Sequence, residues 1–99
     1  MSYSIRFTAQ AKADLERLYA YLIKWDYAAA ERALEAIDHA WGLLEQFPFA
    51  CRKADEASPF LRELVISFGH SGYVALFEIE DSTTVTVLAV RHQQEDDYF

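Results

Sequence analysis

Two apolar stripes with a two-residue break between them restrict the folds open to this chain. Leu15, Leu18, Leu22 and Trp25 recur at steps of three and four residues, and Ala30, Leu34, Ile37, Trp41 and Leu44 do the same. Such steps hold side chains on one side of an α-helix, whereas a strand would scatter them over both faces. The spacing predicts a first helix from about Ala9 to Trp25, with Thr8 as its N-cap. Asp26 caps a second helix, which Pro48 stops. A link as short as Asp26–Tyr27 folds the helices back as an antiparallel hairpin, stripes turned to a shared core. Lys12, Glu16, Glu31 and Glu35 then face outward, and Trp25 and Trp41 are expected to pack inside.

From Leu61 the pattern changes to that of strands. Leu61–Phe68, Tyr73–Glu80 and Thr83–Arg91 are rich in β-branched and aromatic residues, with turns at Gly69-His70-Ser71-Gly72 and Asp81-Ser82. At the other end Tyr3, Ile5 and Phe7 alternate with Ser4 and Arg6, which predicts a strand over residues 3–7. Phe49 to Pro59 has no clear period and reads as a connecting loop. The expected fold is α+β in the order β-α-α-β-β-β, an antiparallel sheet packed against a two-helix hairpin, as one domain over residues 1–99. One sheet face must be covered to hide Leu64, Ile66, Phe77 and Val87, and the pattern leaves open which strand parity that is.

Charge and cysteine usage narrow the function classes. Nine basic against sixteen acidic residues give a formal charge of -7, which opposes approach to a phosphate backbone unless the cations gather on one face. Cys51 is the single cysteine, so there is no internal disulfide and no cysteine pair for zinc, in keeping with a reducing cytoplasm. The opening residues lack the pattern of a secretory signal, and no run is long and apolar enough for a membrane span. His39, His70 and His92 lie far apart and show no helical metal-ligand spacing; neither a metal nor a cofactor is expected.

Several segments in order carry a family resemblance. They are Ile5-Arg6-Phe7-Thr8-Ala9-Gln10-Ala11 with Asp14-Leu15, Leu61-Arg62-Glu63-Leu64, Gly72-Tyr73, and Val87-Leu88-Ala89-Val90-Arg91-His92-Gln93-Gln94-Glu95-Asp96-Asp97-Tyr98. Together they resemble the ParE branch of the ParE/RelE toxins, often described as plasmid-stabilisation proteins, over essentially the whole chain. The resemblance implies a toxin made with a cognate antitoxin from the same operon and held with it in a hetero-oligomer. ParE-like members with a known target poison DNA gyrase, and RelE-like members cut messenger RNA on the ribosome.

The candidate site residues follow from that resemblance. Arg62, Arg91, His92, Glu95 and Tyr98 are expected to gather at one sheet edge, and these together with Tyr73 to bind the target. If the chain is a ribonuclease, Arg91, His92 and Tyr98 would be phosphate clamp, base and acid. Against this, Val74 follows Gly72-Tyr73 where RNA-cutting relatives often carry an arginine, and Glu63 and Leu64 stand where lysines are common. The ordinary reading of each residue stays beside the functional one. A His past a strand end is commonly packed or solvated, Arg62 can neutralise nearby acids, Tyr73 can pack at the sheet edge, and Glu95-Asp96-Asp97 can be a solvated tail or an ion-pair partner of Arg91. The sequence therefore favours a non-enzymatic inhibitor of an essential protein such as gyrase. The alternatives are a ribosome-dependent endoribonuclease and a degenerate toxin that keeps only antitoxin binding. The antitoxin is expected on the helical hairpin and an open sheet edge.

Overall fold

The computed structural model describes residues 2–68 and 71–93. Strand β1 (Ser4–Phe7) leads into Thr8, whose Oγ1 accepts from the Ala11 N–H at 3.0 Å and so opens helix α1 (Ala9–Trp25). Asp26 closes α1 and starts α2 (Tyr27–Gln46): its N–H donates to the Leu22 carbonyl at 2.8 Å, while its carboxylate accepts from the Ala29 N–H at 3.2 Å. One residue thus satisfies orphan groups of both helix ends, which is why the hairpin needs no longer link. Beyond α2, Pro48 starts a single 3-10 turn.

Three long strands follow, β3 (Leu61–Phe68), β4 (Ser71–Ile79) and β5 (Thr84–His92), preceded by the two-residue β2 (Arg52–Lys53). The sheet order is β1-β5-β4-β3-β2. The long strands form the expected antiparallel meander. The sheet as a whole is mixed, because β1 pairs parallel with β5, Ser4 opposite Thr84 through Phe7 opposite Val87. The two strands of this parallel pair are joined through both helices and strands β2 to β4, far longer than the crossover a parallel pair requires. The stretch read as a connecting loop contributes β2, which pairs Arg52 with Glu63 and Lys53 with Arg62.

The core lies between the hairpin and the face of the sheet that bears Leu64, Ile66, Tyr73, Ala75, Phe77 and Ile79. Leu44, Phe77, Val85 and Val87 are fully buried there, and Phe7 meets Trp41 edge to face at 5.2 Å. Trp25 departs from expectation. It is 71% exposed at the hairpin turn, beside Tyr21 at 6.4 Å. Periodicity assigns a residue to a helix face, but only a neighbouring element can bury it. Leu34, on the second stripe, is likewise partly exposed.

A bulge in β5 decides which side chains reach each face. Phe77 pairs with Val87 but Leu76 pairs with Ala89, so Leu88 is an extra residue. The start of α1 holds this irregular segment. Thr8 N donates to the Val87 carbonyl at 3.0 Å, Thr8 Oγ1 donates to the Leu88 carbonyl at 2.9 Å, and the buried Asp14 accepts from the Val90 N–H at 2.9 Å. Asp14 also accepts from Gln10 Nε2 at 2.8 Å. Before the bulge Val85 and Val87 join the core; after it Val90 does. The extra residue reverses the alternation, and it turns Arg91 to the opposite face.

Candidate functional site

Arg91 and His92 leave β5 on opposite faces. His92 turns to the core side, where its ring meets Tyr73 edge to face at 5.7 Å. Arg91 turns to the helix-free face, opposite Val74, which in turn pairs with the exposed Val65. These residues, with Arg52 and Gln93, line a shallow cavity of about 280 Å³. Arg91 Nη1 donates to the carbonyls of His92 and Gln93 at 3.2 and 3.3 Å, so its own strand end orients it. At the far side Arg52 Nε donates to Glu63 Oε1 at 3.0 Å. The cavity therefore has a valine floor between two guanidiniums, of which that of Arg52 pairs with Glu63.

The other expected site residues are placed differently. Arg62 does not face the cavity: its Nε donates to the Pro59 carbonyl at 2.8 Å, and its Nη1 donates to those of Phe49 and Cys51 at 3.1 and 2.7 Å. Its guanidinium also stands 5.2 Å from the Phe49 ring centre. The side chain ties the 49–62 connection together through three backbone carbonyls and one aromatic ring. Tyr73 was expected at the sheet edge, yet it sits on a central strand, 2% exposed and stacked with Phe68 at 6.2 Å. Burial pushes its phenol pKa up, so it stays neutral. The ring is a support for His92 and has no surface for a partner. Glu95 and Tyr98 lie outside the described residues, as does His70.

Gly72 explains why a glycine precedes Tyr73. A Cβ there would overlap the backbone carbonyl of Ile66 on β3, so only glycine lets the β3–β4 ladder close at this end.

Sequence reasoning missed two apolar depressions. One, of about 390 Å³, is lined by Leu43, Phe47, Ala50, Cys51, Leu64 and Val65. It runs along β3 where β2 has stopped, since β2 pairs only with Arg62 and Glu63. Cys51 lies in this groove, and burial pushes its thiol pKa up while Arg62 partly opposes that. The other depression, at the β4–β5 turn, is lined by Tyr3, Phe49, Phe60, Ile79 and the following acidic residues. The signal available beforehand was three phenylalanines, Phe47, Phe49 and Phe60, in a connection that has no other large apolar side chain. Among the described residues, no three His, Cys, Asp or Glu side chains are grouped to hold a metal, and no helix is long and apolar enough to cross a membrane.

Comparison with known proteins agrees with this architecture. Residues 5–97 match the family model described as "ParE toxin of type II toxin-antitoxin system, parDE". The chain is 30% identical over 93 residues to "Toxin RelE3" of Caulobacter vibrioides, covering 93% of this chain and 96% of that one. It is also 30% identical over 83 residues to "Toxin RelE1" of the same organism, covering 84% and 86%. Among solved structures it resembles a chain of the "Chromosomal ParDE TA system from P. aeruginosa", with a TM-score of 0.70 and 19% identity over 92% of this chain and 96% of that one. A chain of the toxin–antitoxin complex RelBE2 from Mycobacterium tuberculosis gives a TM-score of 0.58 and 26% identity over 94% and 100%.

Proposed function

We propose that this chain, which belongs to the ParE toxin family and is the toxin component of a type II toxin–antitoxin system, arrests growth by binding an essential protein, with DNA gyrase as the target. The observation that carries the reading is the divergence of Arg91 and His92 onto opposite sheet faces. Phosphodiester cleavage needs a base, a charge partner and an acid converging on one phosphate. Here the imidazole packs on the buried Tyr73 while the guanidinium faces Val74 and Val65. The formal charge of -7 supports the same reading, since messenger RNA would meet a repulsive field. An Arg91 side chain flanked by valines suits a partner protein that offers a carboxylate beside apolar groups.

The cognate antitoxin is the proposed stable partner, in a cytoplasmic hetero-oligomer. Backbone groups of β3 beyond β2 are available for an added strand, and the groove of Leu43, Phe47 and Val65 would take its apolar side chains. The exposed Tyr21, Trp25 and Tyr27 form a separate apolar patch at the hairpin turn, at the opposite end of α2.

A second reading, a ribosome-dependent ribonuclease, is favoured by the RelE names of the curated relatives. Purified toxin separates the two. Inhibition of gyrase supercoiling, with ribosome-bound message left intact, is the expected result. Cleaved message with normal supercoiling would overturn the gyrase reading. Labelling of DNA and protein synthesis after a pulse of expression checks the same point in cells: DNA synthesis should fall first. No arrest of either would mark a degenerate toxin.

A further inference from the structure

The depression at the β4–β5 turn combines aromatic walls with an acidic rim. Its volume is about 350 Å³, and Tyr3, Phe49, Phe60, Ile79, Glu80 and Asp81 line it. Phe49 and Phe60 meet edge to face at 6.0 Å, and each keeps about half of its surface exposed, 49% and 53%. Folding has left two phenylalanines in water beside two carboxylates, although the core lies directly behind them at the buried Ile79.

Three features make this place electronegative. Glu80 and Asp81 are both exposed at the rim. Each also has acceptor capacity to spare: Glu80 Oε2 takes one hydrogen bond, from Thr86 Oγ1, and Asp81 Oδ1 takes the bonds from Thr83 N and Oγ1 at 2.8 and 2.9 Å. The bonds from Thr83 hold the Asp81 carboxyl below its usual pKa. Finally, the C-terminal end of α2 stands alongside, its Glu45 carbonyl accepting from Tyr3 N at 2.8 Å. The last turn of α2 has no basic residue, so the roughly half negative charge of a helix C-terminus is not offset there.

A negative rim over aromatic walls suits a cation with an apolar stem. We propose that this notch is a second docking point, which takes an arginine or lysine side chain with an apolar neighbour from an extended segment of a partner protein. The cationic head meets Glu80 and Asp81, and its stem lies on Phe60. The Phe49 ring already faces Arg62, so Phe60 is the ring assigned to the ligand. Nucleic acid is disfavoured because phosphates would face both carboxylates. The notch lies at the Ile79–Val85 end of the β4–β5 ladder, whereas Arg91 and His92 lie at the Tyr73 end, roughly 20 Å away by strand rise. The two places can thus be occupied together, and the proposal does not depend on what the toxin poisons.

The test titrates the isotope-labelled toxin, in complex with its antitoxin, with the tripeptide acetyl-Leu-Arg-Leu-amide at low salt. A matched peptide carrying citrulline keeps the shape of arginine and removes its charge. The arginine peptide should shift the backbone amides of Phe60, Ile79 and Ser82 and bind roughly fivefold or more tightly than the citrulline peptide. A Glu80→Gln, Asp81→Asn double variant should lose roughly tenfold, and Phe60→Ala several-fold, with melting curves verifying that both fold. Equal affinity for the two peptides would overturn the proposal. So would unchanged binding in both variants, shifts confined to the Arg91 face, or no shifts at millimolar peptide.

Discussion

Arg62 and Arg91 occupy the two ends of the same sheet and are put to opposite uses. Arg62, at the start of β3, turns into its own chain and donates to three backbone carbonyls of the 49–62 connection. Arg91, near the end of β5, uses two carbonyls of its own strand end for orientation and presents its guanidinium to a cavity on the helix-free face. Arginine serves both ends because its flat, multi-donor head can satisfy several acceptors in one geometry. What separates the two is the neighbourhood. Around Arg62 an irregular connection offers three carbonyls at 2.7–3.1 Å, whereas around Arg91 the strand end offers two at 3.2 and 3.3 Å. One arginine ties a connection together, and the other lines a cavity on the helix-free face.

That contrast can be broken by substitution. Arg62→Ala leaves the Phe49, Cys51 and Pro59 carbonyls without this donor and should lower unfolding free energy by roughly 2–3 kcal/mol. Denaturant unfolding measures this, and a loss below roughly 0.5 kcal/mol would mean that water replaces the guanidinium freely. The Asp14→Ala change removes the acceptor of the Val90 N–H beside the bulge and should cost roughly 2 kcal/mol. Hydrogen exchange at Val90 should quicken with it, and growth arrest should weaken because Arg91 loses its fixed face. A variant with unaltered exchange at Val90 would show that the ladder alone holds the bulge.

Substitutions at the other end should disturb the fold less. Arg91→Ala removes two long hydrogen bonds and is expected to cost roughly 1 kcal/mol, less than Arg62→Ala, while abolishing growth arrest, with retained antitoxin binding as the control for folding. His92→Gln should keep most of the toxicity, since the imidazole packs on Tyr73; complete loss with normal stability would return the ribonuclease reading to first place. The smallest effect concerns pH at the β4–β5 turn. Hydrogen bonds from Thr83 depress the Asp81 pKa in the folded state. The stabilisation is therefore present above the unfolded-state value and lost as pH falls through the lower folded one. Asp81→Asn should remove this part of the acid dependence, which the Thr83 amide shift would follow through a titration.

Much of the fold was legible because its signals are local. Helix α1 spans the residues its spacing and Thr8 predict, and Asp26 and Pro48 bound α2 as read. The three long strands begin or end within about two residues of their expected limits, the usual uncertainty at element ends. The site was legible only in part. Arg91 lines a cavity, Tyr73 is buried on a central strand, and Arg62 bonds to the 49–62 connection. The phenylalanines at positions 47, 49 and 60 were unusual for a connection, yet nothing in their spacing says that they line two separate depressions.

The sequence by itself determined the helical hairpin, the meander and their order, because capping, periodicity and turn residues act over a few neighbouring positions. It also set the acidic balance of the chain, a formal charge of -7. Only the tertiary structure decided that β1 would lie parallel to β5, that Trp25 would stay in water, and that Leu88 would bulge. The last of these matters most for the proposed site. A strand's alternation is set residue by residue, so one extra residue, held by Thr8 and Asp14 from about eighty residues away in the chain, sends Arg91 and His92 to faces that period-two counting would have exchanged.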